Sequence, residues 1–559
     1  MNKVDLWYGH DNLDPVLKEQ LLSYSDAQKE DAFYTDIAFG TAGMRGLLGA
    51  GPNRMNIYTV GKANLGYGKY LKTINPTHPK VAIAYDNRHM SKEFATLCAN
   101  QLSDLGIEVF VFDSLRPTPE LSFTVRELNC TGGIVITASH NPKEYNGYKV
   151  YDETGCQLVP EKVEKVIELI SEVESELDIL KPVGNPSMIH WINEEIDERY
   201  KEAVKSIQLR PDLNKSQLKI VFTPQHGTAY PLMSQIFTEL DYRVNLVGSQ
   251  LSPDPDFPNT LTPNPEEHAS YEEAIVVAKE VDADLILSTD PDADRMGIVV
   301  KHDGEYHYLS GNQGGVVLLE YILSTLKEQN RLPENGVVFN TVVTSDTGEM
   351  LARKYGVKTE KTLTGFKYIG TKVAGIDQGK DQTYLFGYEE SYGYLIKPFV
   401  RDKDALQACL MVAEAAVYYQ QQGKTLVDVM NEVYSEIGYY VETQDSLVLA
   451  GSSGSEELAR IMSVFRNLRP EQLAKTDVVY FEDFLAQKRY EDERSFNMPY
   501  PAENVLKFGL VDGSWIAIRP SGTEPKCKFY YCIRANTKEE ANQKLNYYQE
   551  TIKSIIEKS

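Results

Sequence analysis

Gly132-Gly133-Ile134-Val135-Ile136-Thr137-Ala138-Ser139-His140-Asn141-Pro142 reads as a buried strand that stops abruptly and delivers one serine hydroxyl at its carboxyl end. The same plan recurs along the chain: a short apolar strand, a loop of polar residues, then an amphipathic helix. That repeat is the signature of α/β layers. The strands expected on this pattern are Val81–Tyr85, Glu108–Phe112, Ile134–Thr137, Lys219–Thr223, Asp284–Ser288 and Gly336–Val342. Apolar residues at three- and four-residue intervals predict helices over Glu161–Glu174, Tyr271–Glu280 and Ala405–Gln420.

At 559 residues the chain exceeds what one core can serve, and ordinary domain sizes suggest roughly three to five domains. Hydrophobic residues make up 42% and charged residues 25%, a composition that fills cores and does not suggest disorder. Polar breaks predict domains over 1–210, 211–311, 312–435 and 436–559. The proline-punctuated stretch Pro253–Pro265 is expected to be an ordered loop. The last domain alternates short strands and helices and ends on a helix from Thr537 to Lys558.

A net charge of −24 with no basic run argues against nucleic acid. It also requires that any anionic ligand meet a local concentration of cations. Six scattered cysteines without a Cys-x-x-Cys pair fit reduced core thiols better than a disulfide framework. The polar amino terminus and the absence of about 18 consecutive apolar residues predict no membrane partner and a cytoplasmic protein. The hydroxyls of the 35 tyrosines suit half-buried surfaces and polyol recognition, although most are expected to be packing residues with a wet tip.

Ser139 lacks the flanking glycines of a hydrolase nucleophile elbow, and its neighbour His140 is poorly placed by adjacency to form a serine–histidine pair. In isolation, Ser139 and Asn141 would be turn formers after a strand. A second segment changes that weighting. Asp290, Asp292 and Asp294 follow a predicted strand at alternate positions and would project to one side of an extended segment. Three converging carboxylates repel unless a cation sits among them, and all-oxygen ligation suits a hard ion such as Mg2+. A calcium EF-hand fails, because Arg295 and Lys301 occupy its glycine and glutamate positions. A solvated acidic turn is the bland alternative. A serine that carries a phosphoryl group beside a trapped cation is the sharper reading.

Three further loops bear on chemistry. Phe39–Gly46 is punctuated by glycines and holds Arg45, which suits close approach to an anion. Gly387–Gly393 contains Glu389, Glu390 and Ser391, acceptors for sugar hydroxyls. Arg519–Lys526 places two cations, two hydroxyls and a glycine in one short run, a cradle for phosphate, though the same composition also makes ordinary turns.

Taken in order, Thr137–Pro142, Asp290–Arg295, Gly387–Gly393 and Arg519–Lys526 resemble the motifs of the α-D-phosphohexomutase superfamily over nearly the whole chain. The Gly40–Gly46 loop, Gly-Thr-Ala-Gly-Met-Arg-Gly, is similar to that of members of its phosphoglucomutase and phosphomannomutase branch. The resemblance implies four domains around a central cleft: three related α/β domains and a C-terminal α+β domain with a helix-covered antiparallel sheet.

By position it implies Ser139 as phosphoserine, with Asp290, Asp292 and Asp294 joining it as Mg2+ ligands. Lys149 matches the general base, and Arg45 and His140 match residues flanking the transferred group. Substrate contacts would come from Arg295, Thr364, Gly365, Lys367, Glu389, Ser391, Lys403, Arg519, Ser521, Gly522, Thr523 and Lys526. An ordinary lysine is protonated near neutral pH, so the base role calls for a lowered pKa at Lys149.

The expected reaction interconverts glucose 1-phosphate and glucose 6-phosphate through a bisphosphorylated intermediate, with glucose 1,6-bisphosphate as priming activator. Glu390 and Tyr392 depart from the dual mannose/glucose pattern, which favours glucose. Phosphomannomutase and phosphopentomutase activities are the alternatives, and a Mg-dependent sugar phosphatase is a further one. A monomer or homodimer is expected.

Overall fold

The computed structural model describes residues 3–40, 43–179, 182–449, 454–468, 472–473, 475–520 and 526–558. The chain divides into two compact bodies, Met1–Gly314 with Phe366–Thr425, and Gly315–Gly365 with Leu426–Ser559.

In the first body, a six-stranded sheet is built around the segment that carries Ser139. Its order is Met44–Leu47, Tyr145–Asp152, Gly132–Ile136, Lys80–Tyr85, Glu108–Phe112, Ile189–Ile192. Lys80–Tyr85 runs parallel to both Glu108–Phe112 and Gly132–Ile136, while Tyr145–Asp152 returns antiparallel as the second arm of a hairpin. Helices Ile57–Ile74, Ser91–Asp104 and Thr118–Glu127 cover this sheet. Val81, Ile83, Ile134 and Ile136 are buried with Phe94, Leu102 and Tyr67 in one cluster. Burial on both faces accounts for the continuous apolar runs in the sequence.

Sequence patterning did not reveal three short amino-terminal helices, Lys3–Tyr8, Pro15–Ser23 and Asp26–Phe33. Local capping explains two of them: Asp14 accepts from Val16 N and Leu17 N, and Ser25 with Gln28 forms a reciprocal capping box. Trp7 packs edge-on against Phe33 and Tyr58 and gives this segment its own small core.

A second sheet in the same body has the order Glu305–Leu309, Met296–His302, Leu285–Thr289, Lys219–Thr223, Arg243–Leu246. Lys219–Thr223 lies parallel to Arg243–Leu246 and Leu285–Thr289, and the Asp290–Arg295 loop begins where Leu285–Thr289 ends. Residues 253–265 are irregular loop, as the prolines imply. A third element of this body pairs Thr383–Glu389 with Gly393–Leu395, beside helices Phe366–Asp377 and Ala405–Gln420.

The second body contains the parallel pair Gly336–Thr341 and Lys358–Thr362 with helix Asp346–Lys354, and the C-terminal sheet. That sheet is antiparallel throughout, in the order Tyr439–Val448, Lys526–Ala535, Trp515–Pro520, Leu506–Leu510, Thr476–Asp483, Lys488–Glu491, Arg494–Asn497. Helices Gly454–Leu468 and Lys538–Lys558 bury Ile461, Phe465, Leu545 and Ile552 in a common cluster with Phe508, Ile516 and Ile533. The architecture is thus three α/β domains and a C-terminal antiparallel domain covered by helices. All six cysteines are buried and unbridged. Among the described residues, no helix is long and apolar enough to cross a membrane.

Candidate active site

Strand Gly132–Ile136 ends three residues before Ser139, and the chain turns sharply there. Ser139 adopts a left-handed backbone conformation, φ +53°, which an L side chain rarely takes. Thr137 Oγ1 holds the turn by accepting the Ser139 N–H at 2.8 Å. The serine is 3% exposed, and its hydroxyl donates to Asp290 Oδ2 at 2.7 Å. Contrary to the expectation from adjacency, His140 Nδ1 lies 3.1 Å from Ser139 Oγ, because the left-handed turn folds the two side chains together. Burial, reinforced by Arg295 and Arg45, holds the His140 pKa well below its usual value and leaves the imidazole neutral.

The aspartates converge, although not through an extended strand. Leu285–Thr289 has ended, and residues 291–292 form a turn with Ala293 at φ +54°. Asp290 Oδ1 accepts the Asp294 and Arg295 N–H groups at 3.1 and 2.9 Å, which closes the turn on itself. One ligand atom from each of Asp290, Asp292 and Asp294 lies within 4.8 Å of the others, and all three residues are buried. Asp292 Oδ1 and Asp294 Oδ1 are buried oxygens with no hydrogen-bond partner among the described residues. Three buried carboxylates with unused oxygens fit a hard divalent cation, so the trio could hold a metal ion.

Hairpin register brings the lysine to this site. Lys149 pairs with Val135, and its Nζ lies 2.9 Å from Asp292 Oδ2 and 3.6 Å from Asp294 Oδ2. Lys403 Nζ lies 3.0 Å from Asp294 Oδ2. Burial opposes the ammonium of Lys149, but Asp292 and Asp294 outweigh it and hold its pKa above the ordinary 10.5. The lowering that a general base calls for is therefore absent while these carboxylates face it uncompensated. Burial likewise opposes the Asp292 carboxylate, yet Lys149 and Lys403 push its pKa below the usual carboxylate range. Burial and then the charges of Asp292 and Asp294 raise that of Asp290 well above its usual value.

Arg45, on strand Met44–Leu47 opposite Gly147, donates to Asn141 Oδ1 at 3.0 Å and so borders the serine loop. Arg295 pairs with Glu266, a residue that sequence reading passed over. Glu389 closes strand Thr383–Glu389, is buried, and its charge acts on Lys403 and Arg295. Ser391 follows in the connecting turn, tied to the aspartate loop by the Met296 N–H on Tyr392 O at 3.0 Å. A Cβ at Gly393 would sit 2.1 Å from Lys403 Cδ, so a larger residue there would displace the lysine side chain. Lys367 lies buried at the start of helix Phe366–Asp377.

Thr364 and Gly365 belong to the second body, as does Arg519, which is next to last on strand Trp515–Pro520 and lies 3.3 Å from Glu503. Lys526 opens the next strand, which pairs with Trp515–Pro520. Ser521, Gly522 and Thr523 lie outside the described residues. Thr118 was also missed: its hydroxyl donates to Asp292 Oδ2 at 3.0 Å from the start of helix Thr118–Glu127. A threonine behind Pro117 gives no sequence signal beyond a helix start.

Gly147 sits between two strands, and a Cβ there would meet the Thr137 carbonyl at 2.5 Å and the Met44 carbonyl at 3.0 Å. Gly147→Ala is expected to cost about 1–3 kcal/mol of stability and to lower turnover by displacing the strand end that carries Ser139. Thermal denaturation together with steady-state rates checks both.

Fold and site together define an α/β protein in which a serine at one strand end faces an aspartate trio at another. Its four segments match the domains of one family: phosphoglucomutase/phosphomannomutase alpha/beta/alpha domain I over residues 36–177, domain II over 198–304, domain III over 310–437, and the C-terminal domain over 471–544. A phosphoglucomutase of Staphylococcus epidermidis is 38% identical over 538 residues, covering 95% of this chain and 97% of the relative. One from Staphylococcus aureus is 38% identical over 551 residues, 97% of each. The solved phosphoglucomutase/phosphomannomutase family protein of Burkholderia thailandensis shares the fold with a TM-score of 0.68 at 18% identity, covering 92% of this chain and 97% of that one. The chain belongs to the phosphoglucomutase/phosphomannomutase family.

Proposed function

We propose that this protein interconverts glucose 1-phosphate and glucose 6-phosphate by way of a phosphorylated Ser139. The observation that carries the reading is the 2.7 Å hydrogen bond between Ser139 Oγ and Asp290 at a buried carboxylate trio. Support for the sugar comes from the phosphoglucomutase relatives, similar over nearly the full chain. Domains over 1–210, 211–311, 312–435 and 436–559 would contribute the serine, aspartate, sugar and phosphate loops respectively.

In the forward half-reaction the phosphoryl group leaves Ser139 Oγ for the free hydroxyl of the bound sugar monophosphate. One P–O bond breaks, another forms, the hydroxyl proton passes to Lys149, and the departing Ser139 oxygen takes up a proton from solvent. The resulting bisphosphate turns over in the site and returns its other phosphoryl group to Ser139 Oγ, which gives its proton back to solvent, while Lys149 gives its proton to the product oxygen. Glucose 1,6-bisphosphate would prime an unphosphorylated enzyme by the same return step. Asp290, Asp292 and Asp294, with the phosphorylated serine, would hold Mg2+, whose charge offsets that of the phosphoryl oxygens in transfer. Arg45 and neutral His140 border the same oxygens, and such positioning and charge stabilisation supply most of the catalysis. Lys149 can act as acceptor only once the negative charge of Asp292 and Asp294 is neutralised, since those carboxylates hold its pKa up.

Glu389, Ser391, Lys367, Thr364 and Gly365 are assigned to the sugar. Arg295, Lys403, Arg519, Ser521, Gly522, Thr523 and Lys526 are assigned to its phosphates. Lys149→Ala is expected to lower kcat by about 10²–10⁴-fold with little change in KM, and turnover within a few-fold of the parent removes the base assignment.

The direct test supplies glucose 1-phosphate, mannose 1-phosphate and ribose 1-phosphate in turn, with Mg2+ and glucose 1,6-bisphosphate, and follows isomerised product and inorganic phosphate. Highest kcat/KM on glucose 1-phosphate is expected. Preference for mannose or ribose 1-phosphate would transfer the reading to a phosphomannomutase or phosphopentomutase, and phosphate release without isomer would make the protein a phosphatase.

A further inference from the structure

Arg88 lies directly behind the serine loop and is spent almost entirely on its backbone. It follows strand Lys80–Tyr85, and its side chain has no solvent exposure. Nη2 donates to the carbonyls of Ser139, at 2.6 Å, and Asn141. Nη1 donates to the carbonyls of Pro142 and Tyr145 at 2.8 and 3.2 Å. Nε faces Asp86 Oδ2 at 3.3 Å, and the other Asp86 oxygen takes the Arg88 N–H at 2.9 Å and the Ser91 hydroxyl at 2.7 Å. The guanidinium plane is backed by the Phe257 ring, 5.2 Å from its centroid.

Phe257 belongs to the proline-rich loop 253–265, which the proposed function leaves without a task. That loop is pinned to the same place by the Asn87 amide on the Asp254 carbonyl at 2.8 Å and by Lys143 on Asp256 at 3.1 Å. A planar fork with five donors in fixed geometry can satisfy four carbonyls of one tight loop, which a single ammonium cannot. The loop it grips contains the one backbone conformation that the phosphoryl carrier cannot adopt cheaply, the left-handed Ser139.

We infer that Arg88 is a positioning residue for phosphoryl transfer: by bridging the Ser139, Asn141, Pro142 and Tyr145 carbonyls against Phe257, it holds Ser139 Oγ in line with the aspartate trio. The inference rests on the phosphoserine reading. Arg88 touches neither the hydroxyl nor a carboxylate of the trio in the hydrogen bonds above, so its effect passes through the backbone. A misplacement of about 1 Å at the carrier is enough to cost roughly 10²-fold in rate.

The test measures, for the parent, Arg88→Lys, Arg88→Ala and Phe257→Leu, the single-turnover rate at which glucose 1,6-bisphosphate phosphorylates Ser139, read by intact mass, together with kcat, KM and thermal midpoint. Arg88→Lys is expected to slow phosphorylation and kcat together by about 10²-fold while KM stays within about threefold, because it keeps the charge and loses the fork. Partial recovery of Arg88→Ala by added methylguanidinium, at a concentration that leaves the thermal midpoint unchanged, is expected. Phe257→Leu, which leaves every Arg88 hydrogen bond available, should show a smaller loss of the same kind and serves if Arg88→Ala does not fold. Parent-like phosphorylation in folded Arg88→Lys overturns the inference, as does a loss confined to KM. Failure of the parent itself to accept phosphate at Ser139 would instead overturn the phosphoserine reading.

Discussion

Ser139→Ala is expected to take up no phosphoryl group from glucose 1,6-bisphosphate and to lose turnover by about 10⁴-fold or more. Removing a covalent carrier deletes the whole route, where removing a group that merely stabilises charge slows one step of it. The substitution should leave the fold intact. Ser139 is a small residue in a turn whose closure depends on Thr137 Oγ1 and on Arg88, and neither contact uses the serine hydroxyl. What is lost is the hydrogen bond to Asp290 and the approach to His140. A net contribution of about 1 kcal/mol for such a bond predicts a modest shift in thermal midpoint, far too small to explain the loss of turnover. Intact mass and circular dichroism on the same sample separate the two. Phosphate retained on Ser139→Ala would move the carrier to another residue.

Asp290→Asn is expected to lower kcat by about 10³-fold and to raise the Mg2+ concentration needed for half-maximal activity. Its effect on stability should have the opposite sign. Burial and the neighbouring Asp292 and Asp294 charges raise the Asp290 pKa above that of the unfolded chain. A carboxyl raised in this way favours folding most at low pH. That contribution is lost as pH climbs past the unfolded value and through the native one. The amide does not titrate, so in the presence of a chelator Asp290→Asn should melt at or above the parent temperature at pH 7. Added Mg2+ should reverse the order, because the parent alone keeps three carboxylates for the ion and binding to the native state stabilises it. Thermal scans with chelator and with Mg2+ decide it. A chelated variant that melts well below the parent would mean the Asp290 charge supports the fold.

These two residues also show how far a linear reading reaches. The strand before Ser139 and the strand before Asp290 were visible because both faces of each are buried, which leaves an unbroken apolar run. Their ends fell within one or two residues of the predicted ones. The three amino-terminal helices were not visible: each is only six to nine residues long, and their stability comes from caps and from packing of Trp7 against Phe33 and Tyr58. The aspartates were correctly grouped on an incorrect geometry, since alternation along a strand and a turn closed by the Asp290 side chain both bring their oxygens together.

Chemical identity and order along the chain were legible from residues alone, because a serine at a strand end and three carboxylates in five residues can serve few purposes. Proximity was not. That Lys149 meets Asp292 follows from a hairpin register, that His140 reaches Ser139 follows from a left-handed turn, and that Arg88 backs this turn follows from a parallel strand pairing over fifty residues away. Each depends on backbone hydrogen bonds and packing between distant segments, and such forces exist only once the chain has folded. The pKa directions follow the same logic: a lysine raised by two carboxylates that share its pocket carries no trace of them among its sequence neighbours.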